Sequence, residues 1–203
     1  MTSAATAEGR RDALVGRLFD ATLGAFDLLT VYLGDRLGLY AALAERGECT
    51  SRQLAEAAGI HERYAREWLE QQALSGILGV ENPEADEGER RYHLPEGHDE
   101  ALLAETSLNF VAPMAQSFVA CTRPIDALQE AFRTGGGVPY ADYGADLHEG
   151  QARFTRPMFE NLLAAEWLPA VPDVHARLLG DPPARVADVA CGLGHSTLAI
   201  ARA

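Results

Sequence analysis

Between Thr50 and Leu94 the order of apolar runs and chain breakers leaves little choice of local fold. Thr50 and Gln53 have the spacing of a capping box, in which each side chain satisfies a free backbone N–H at a helix start. The spacing predicts a helix over Ser51–Ala57, then the turn Ala58-Gly59-Ile60. A further helix from about Glu62 to Leu74 places Ala65, Trp68, Leu69 and Gln72 on one side. After Gly76 two short apolar pieces, Ile77–Val80 and Arg91–Leu94, flank the charged loop Glu81–Arg90. Helix, turn, helix and β-hairpin in this order predict a winged helix.

The flanking sequence is helical in pattern. Residues 1–9 are small and polar and are expected to fray. From about Arg10 to Leu33 the apolar residues Leu14, Leu18, Ala21, Ala25, Leu28, Leu29 and Tyr32 recur at helical spacing, and a short helix covers Leu37 to Ala44. Residues 98–133 read as helix broken by Pro113 and Pro124. Thr134 to Gly144 is a turn-rich loop. A helical piece from Asp146 to Trp167 is expected to bend or divide at Pro157. A last helix near Val174–Leu179 precedes Asp181-Pro-Pro183. Trp68 and Trp167 read as core residues. Tyr140 and Tyr143 offer an apolar face and a hydroxyl to a pocket, with core packing as the alternative.

Charge decides what the winged helix is for. In the helix 62–74, Arg63 and Arg66 face Glu62, Glu67 and Glu70. In the wing, Arg90 and Arg91 face Glu81, Glu84, Asp86, Glu87 and Glu89. A DNA-reading helix and wing need a surplus of Lys and Arg to displace counterions from phosphates. Here both carry a surplus of acid, and the chain as a whole has a net charge of −13. Nucleic acid and anionic membrane surfaces are therefore disfavoured as partners. Cys49, Cys121 and Cys191 are too scattered for a disulfide framework or a metal site, which fits a reducing cytoplasm. No apolar run has the length of a membrane span, and no metal is expected.

The end of the chain carries the chemistry. The apolar run Val186, Ala187, Asp188, Val189, Ala190 meets a glycine turn at Gly192 and Gly194, and a helix-like stretch follows. That is a strand, turn and helix of the kind that opens a nucleotide-binding α/β domain. The register of a dinucleotide fingerprint puts Thr197 where the third glycine belongs. Cys191 reads as a small buried residue, and His195 and Ser196 as the start of a helix.

With its acid two residues before Ala190, the run D-V-A-C-G-L-G (Asp188–Gly194) resembles the first motif of class I S-adenosylmethionine-dependent methyltransferases. The resemblance implies that Asp188, Ala190, Cys191, Gly192 and Gly194 surround the methionine end of that cofactor. Ala190 stands where the family usually has glycine. The winged helix and the segment G-G-G-V-P-Y-x-x-Y-G (Gly135–Gly144) resemble the N-terminal part of bacterial small-molecule O-methyltransferases. In that family the winged helix serves dimerisation. Phe154-Thr-Arg-Pro-Met158 resembles the family's F-N-x-x-M segment, which makes Phe154 and Met158 candidate cofactor contacts. An ordinary apolar helix face at i, i+4 spacing is the alternative.

The expected architecture is therefore mostly α. A long helix and winged helix-turn-helix occupy residues 10–96, a helical connector 97–182, and the first βα unit of a Rossmann-like methyltransferase domain 183–203. The resemblance implies S-adenosylmethionine as cofactor, a small-molecule methyl acceptor and a homodimer. Only Ala203 follows the strand–turn–helix stretch Arg185–Arg202. The chain is thus expected to be C-terminally truncated, inactive alone, and a weak binder of the cofactor at best. A winged-helix transcriptional regulator and a non-catalytic dimerisation module are the alternatives.

Overall fold

A computed structural model describes residues 6–202, so Met1–Ala5 and Ala203 lie outside the described residues. Helix α1 runs over Ala7–Arg36 and begins earlier than its apolar pattern suggests. The Thr6 hydroxyl accepts the Gly9 N–H at 3.1 Å, so an N-cap, not fraying, sets the start. Helices α2 (Leu39–Arg46), α3 (Ser51–Ala58) and α4 (Glu62–Leu74) follow. The Thr50–Gln53 capping box forms as expected. Strands β1 (Gly79–Val80) and β2 (Tyr92–His93) pair antiparallel, Gly79 opposite His93 and Val80 opposite Tyr92. Cys49 exchanges two backbone hydrogen bonds with Tyr92, which extends the wing by one bridge.

The core of this winged helix lies where α2, α3, α4 and the hairpin meet. It holds Leu39, Tyr40, Leu43, Leu54, Trp68 and Leu69, all buried. Tyr40 and Trp68 meet edge to face, with ring centroids 5.2 Å apart. Gln72 lies on this apolar side as a satisfied polar residue. Its carbonyl accepts from the Tyr40 hydroxyl, and its amide donates to Thr30 Oγ1 at 3.0 Å. Trp68 Nε1 donates to the Thr30 carbonyl at 2.9 Å and fastens α4 to the second half of α1. The first half of α1, residues 7–24, is exposed throughout.

Helices α5 (His98–Leu102), α6 (Ala112–Thr122) and α7 (Ile125–Thr134) fill the middle of the chain. Pro113 lies in the first turn of α6 and Pro124 caps α7, so both prolines start helices, where their missing N–H costs nothing. The loop to residue 144 contains a single 3₁₀ turn, Tyr140–Tyr143. Helix α8 (Ala145–Met158) packs on α6 through Gly150; a Cβ there would stand 2.7 Å from Ser117 Oγ.

Pro157 lies inside α8, and the helix neither ends nor divides there. It continues as a π-helical segment, Phe159–Trp167. Proline offers no N–H to the preceding turn, and the wider spacing follows directly after it. Asn161 Nδ2 donates to the Pro157 carbonyl at 2.8 Å and to the Thr106 carbonyl at 2.9 Å. Trp68 is buried, but Trp167 is 40% exposed, contrary to its reading as a core residue. It closes the π segment, and its ring stands edge to face with Phe159, centroids 6.2 Å apart. Helices α9 (Pro172–Leu178) and α10 (His195–Arg202) complete the chain. Among the described residues the expected strand Val186–Ala190 does not form: residues 183–188 have no hydrogen-bonded neighbour strand, and 189–190 lie in the terminal turn.

Candidate functional site

The terminal motif folds into a turn built from left-handed residues. Gly192 has φ +57° and Gly194 has φ +83°. Ala190 has φ +60°, among the described residues the one non-glycine with positive φ. Glycine would hold this conformation without strain, and alanine holds it under strain. The Gly194 N–H closes the turn on the Cys191 carbonyl at 2.9 Å, and the Gly194 carbonyl accepts from Leu198 N–H to start α10. A Cβ on Gly192 would meet nothing within 4 Å, so the turn presents bare backbone on that side.

Asp188 is braced to α10. Its Oδ2 accepts from Ser196 Oγ at 2.6 Å and Thr197 Oγ1 at 2.7 Å. These two hydrogen bonds hold its carboxyl below the usual aspartate range, so it is ionised at neutral pH. Ser196 thus begins a helix, as expected, and also fixes the acid. Cys191 is exposed, not buried, because the turn carries it outward.

A cleft of about 940 Å³ separates this turn from α8. Asp188, Ala190, Cys191, Gly192 and Ser196 form one wall. Tyr140, His148, Gln151, Thr155 and Phe159 form the other. The spacings 148, 151, 155 and 159 are those of one helix face. Residues 146, 150, 153 and 157 form the opposite face, and Asp146, Gly150 and Pro157 on it are buried. Phe154 and Met158 fall between the two faces, half-buried and outside the cleft lining. Tyr140, 60% exposed, stacks on His148 with ring centroids 4.4 Å apart. Tyr143 and Gly194 do not line the cleft.

His148, Gln151, Thr155 and Phe159 line the cleft in place of the expected Phe154 and Met158, and their 3-4-4 spacing is the signal in the sequence that marks this wall. Among the described residues no three His, Cys, Asp or Glu side chains gather as a metal site.

The arginines of α4 and of the wing are engaged within the chain. Arg63 pairs with Glu67 at 3.7 Å, Arg66 with Glu62 at 3.5 Å and with Glu87. Arg90 pairs with Glu70 at 2.9 Å and Arg91 with Glu48 at 2.6 Å.

Residues 25–104 match the Rv2258c-like winged HTH domain, and this part of the chain is a winged helix-turn-helix. The chain also shares a fold with solved methyltransferase structures. The mitomycin 7-O-methyltransferase MmcR aligns with a TM-score of 0.57 at 19% identity, over 95% of this chain and 56% of its own. PigF with SAH aligns at 0.52 and 17% identity, over 93% and 55%. Human N-acetylserotonin methyltransferase in complex with SAM aligns at 0.50 and 18% identity, over 84% and 50%. The chain thus spans about half the length of the structures it resembles. At these identities the likeness is one of fold. No curated protein matches the sequence.

Proposed function

We propose that this chain supplies the N-terminal part of an S-adenosylmethionine-dependent methyltransferase acting on a small molecule. The single observation that carries the reading is the turn 188–194: an ionised carboxylate braced to the next helix, followed by left-handed residues that open bare backbone onto the cleft. Structural neighbours of the same fold include two methyltransferases, one in complex with SAM, and PigF with SAH.

The residues present fit the cofactor's methionine end. When bound, S-adenosylmethionine supplies a methyl group on a sulfonium, open to in-line attack by an acceptor. Asp188 holds a negative charge on the wall that would face the cofactor's cationic groups. Ala190, Cys191, Gly192 and Gly194 shape the turn so that its backbone approaches the ligand closely. Phe154 and Met158 flank the opposing face of α8. Tyr140 and His148 border the remaining side, where an acceptor would be oriented and water excluded.

We further read the chain as three parts, 10–96, 97–182 and 183–203, and as a homodimer through α1 and the winged helix. The exposed apolar residues of α1, Leu14, Val15, Leu18, Phe19, Leu23 and Phe26, support the dimer. Unpaired cysteines support a reducing cytoplasm. Among the described residues no helix is long and apolar enough to cross a membrane. The paired arginines of α4 and the wing speak against the regulator reading.

With no strand paired to 183–188, donor binding by this chain should be weak and its activity negligible. An NMR titration with S-adenosylhomocysteine tests this. Weak, saturable shifts are expected at 188–196 and 148–159, abolished by Gly192→Val, because valine at φ +57° would collapse the turn. A folded chain that shows no shift at these residues would overturn the proposal, and tight binding would overturn the expected weakness.

A further inference from the structure

Six side chains form a polar ring on the side of α8 that faces away from the cleft, closed through the α1 backbone between Tyr32 and Asp35. Helix α1 contributes these two, one turn apart. Helix α6 contributes Gln116, its C-cap contributes Arg123, and α8 contributes Asp146 and Arg153. Tyr32 Oη donates to Asp146 Oδ2 at 3.0 Å, and Arg123 donates to the same oxygen. Gln116 Nε2 donates to Asp146 Oδ1 at 3.1 Å, while its carbonyl accepts from Arg153 Nη1 at 2.9 Å. Arg153 closes the ring as a fork on Asp35, at 2.7 and 2.8 Å, and its guanidinium lies over the Phe110 ring, 5.4 Å from the centroid. Gln116 is fully buried and Asp146 nearly so.

Such a ring does little for net stability, since burying charges costs nearly what pairing them returns. It does fix geometry. An apolar helix face slides and rotates with little penalty, whereas a bidentate Arg–carboxylate fork permits one registry. The face opposite the ring carries His148, Gln151, Thr155 and Phe159 into the cleft. Rotation of α8 by one residue position, about 100°, would move all four off the wall.

We propose that Asp35, Gln116, Asp146 and Arg153 are positioning residues for the cleft: the ring locks the rotation of α8, so that α1, which lines no part of the cleft, nonetheless sets its far wall. The functional part of this inference rests on the cleft being the methyl-donor site.

The test compares the 203-residue chain with Asp35→Asn, Arg153→Lys and the charge-swapped pair Asp35→Arg with Arg153→Asp. Two readouts are used: amide hydrogen exchange across 145–167, and S-adenosylhomocysteine affinity by NMR titration. Asp35→Asn is expected to speed exchange in 145–167 on the order of tenfold or more and to weaken affinity comparably, while exchange in α2–α4 is unchanged. Lysine at 153 keeps the charge but loses the fork, and should fall between. The swapped pair should recover part of the loss. Exchange unchanged over 145–167, or raised equally in α2–α4, overturns the proposal. If the unaltered chain shows no titration, the donor reading fails, and the exchange data alone decide whether the ring holds α8.

Discussion

Gly34 is the buried residue of α1 where that helix crosses the core of the winged helix. A Cβ there would come within 2.6 Å of both Trp68 Cζ2 and Tyr40 Cε2, two buried rings that have no room to yield. Gly34→Ala should therefore destabilise the protein by about 1–3 kcal/mol, although alanine is the better helix former. Urea denaturation followed by Trp fluorescence checks it, and a variant as stable as the parent would show that the contact relaxes freely. Ala190 presents the reverse case. Its φ of +60° strains a side chain that has cost the turn its glycine, so Ala190→Gly should leave the turn intact and relieve that strain.

Helix α8 carries the cleft on one face and the polar ring on the other, and Asp146 anchors its first turn. Burial works to raise the Asp146 pKa. Hydrogen bonds from Tyr32 and Gln116, with the charges of Arg123 and Arg36, outweigh burial and leave it lowered. A carboxyl depressed by folding contributes stability above its unfolded value near 3.9, and loses it as the pH falls toward the folded value. Asp146→Asn should cost about 1–2 kcal/mol at pH 7. It should also flatten the loss of stability below pH 4, as measured by thermal melts across pH. An unchanged acid slope would assign that slope to other carboxylates.

Much at the element scale was legible in the chain. The capping box, the four buried positions of α4 and the wing each followed from local spacing, because short-range patterns govern short elements. The cleft wall was not legible. Its four residues are polar or aromatic at helical spacing, and the contacts on the other side of α8 that accompany this orientation join residues more than 100 apart in sequence.

At the scale of the whole molecule the first half of α1 stands apart. Its eighteen exposed residues, 7–24, span about 27 Å and carry large apolar side chains, Phe19 among them at 64% exposure. If they form the proposed dimer contact, Leu18→Glu with Phe19→Glu should convert a dimer into a monomer in light scattering while the winged helix remains folded. A parent chain that is monomeric at high concentration would remove that reading.

The same stretch has a consequence for lifetime. An unsupported helix of this length is marginal in water, so its residues open and close rapidly unless something covers them. Arg10, Arg11 and Arg17 lie within it, and each is a tryptic site. If the proposed dimer covers the helix, cleavage there should slow as the protein is concentrated, because mass action favours the covered form.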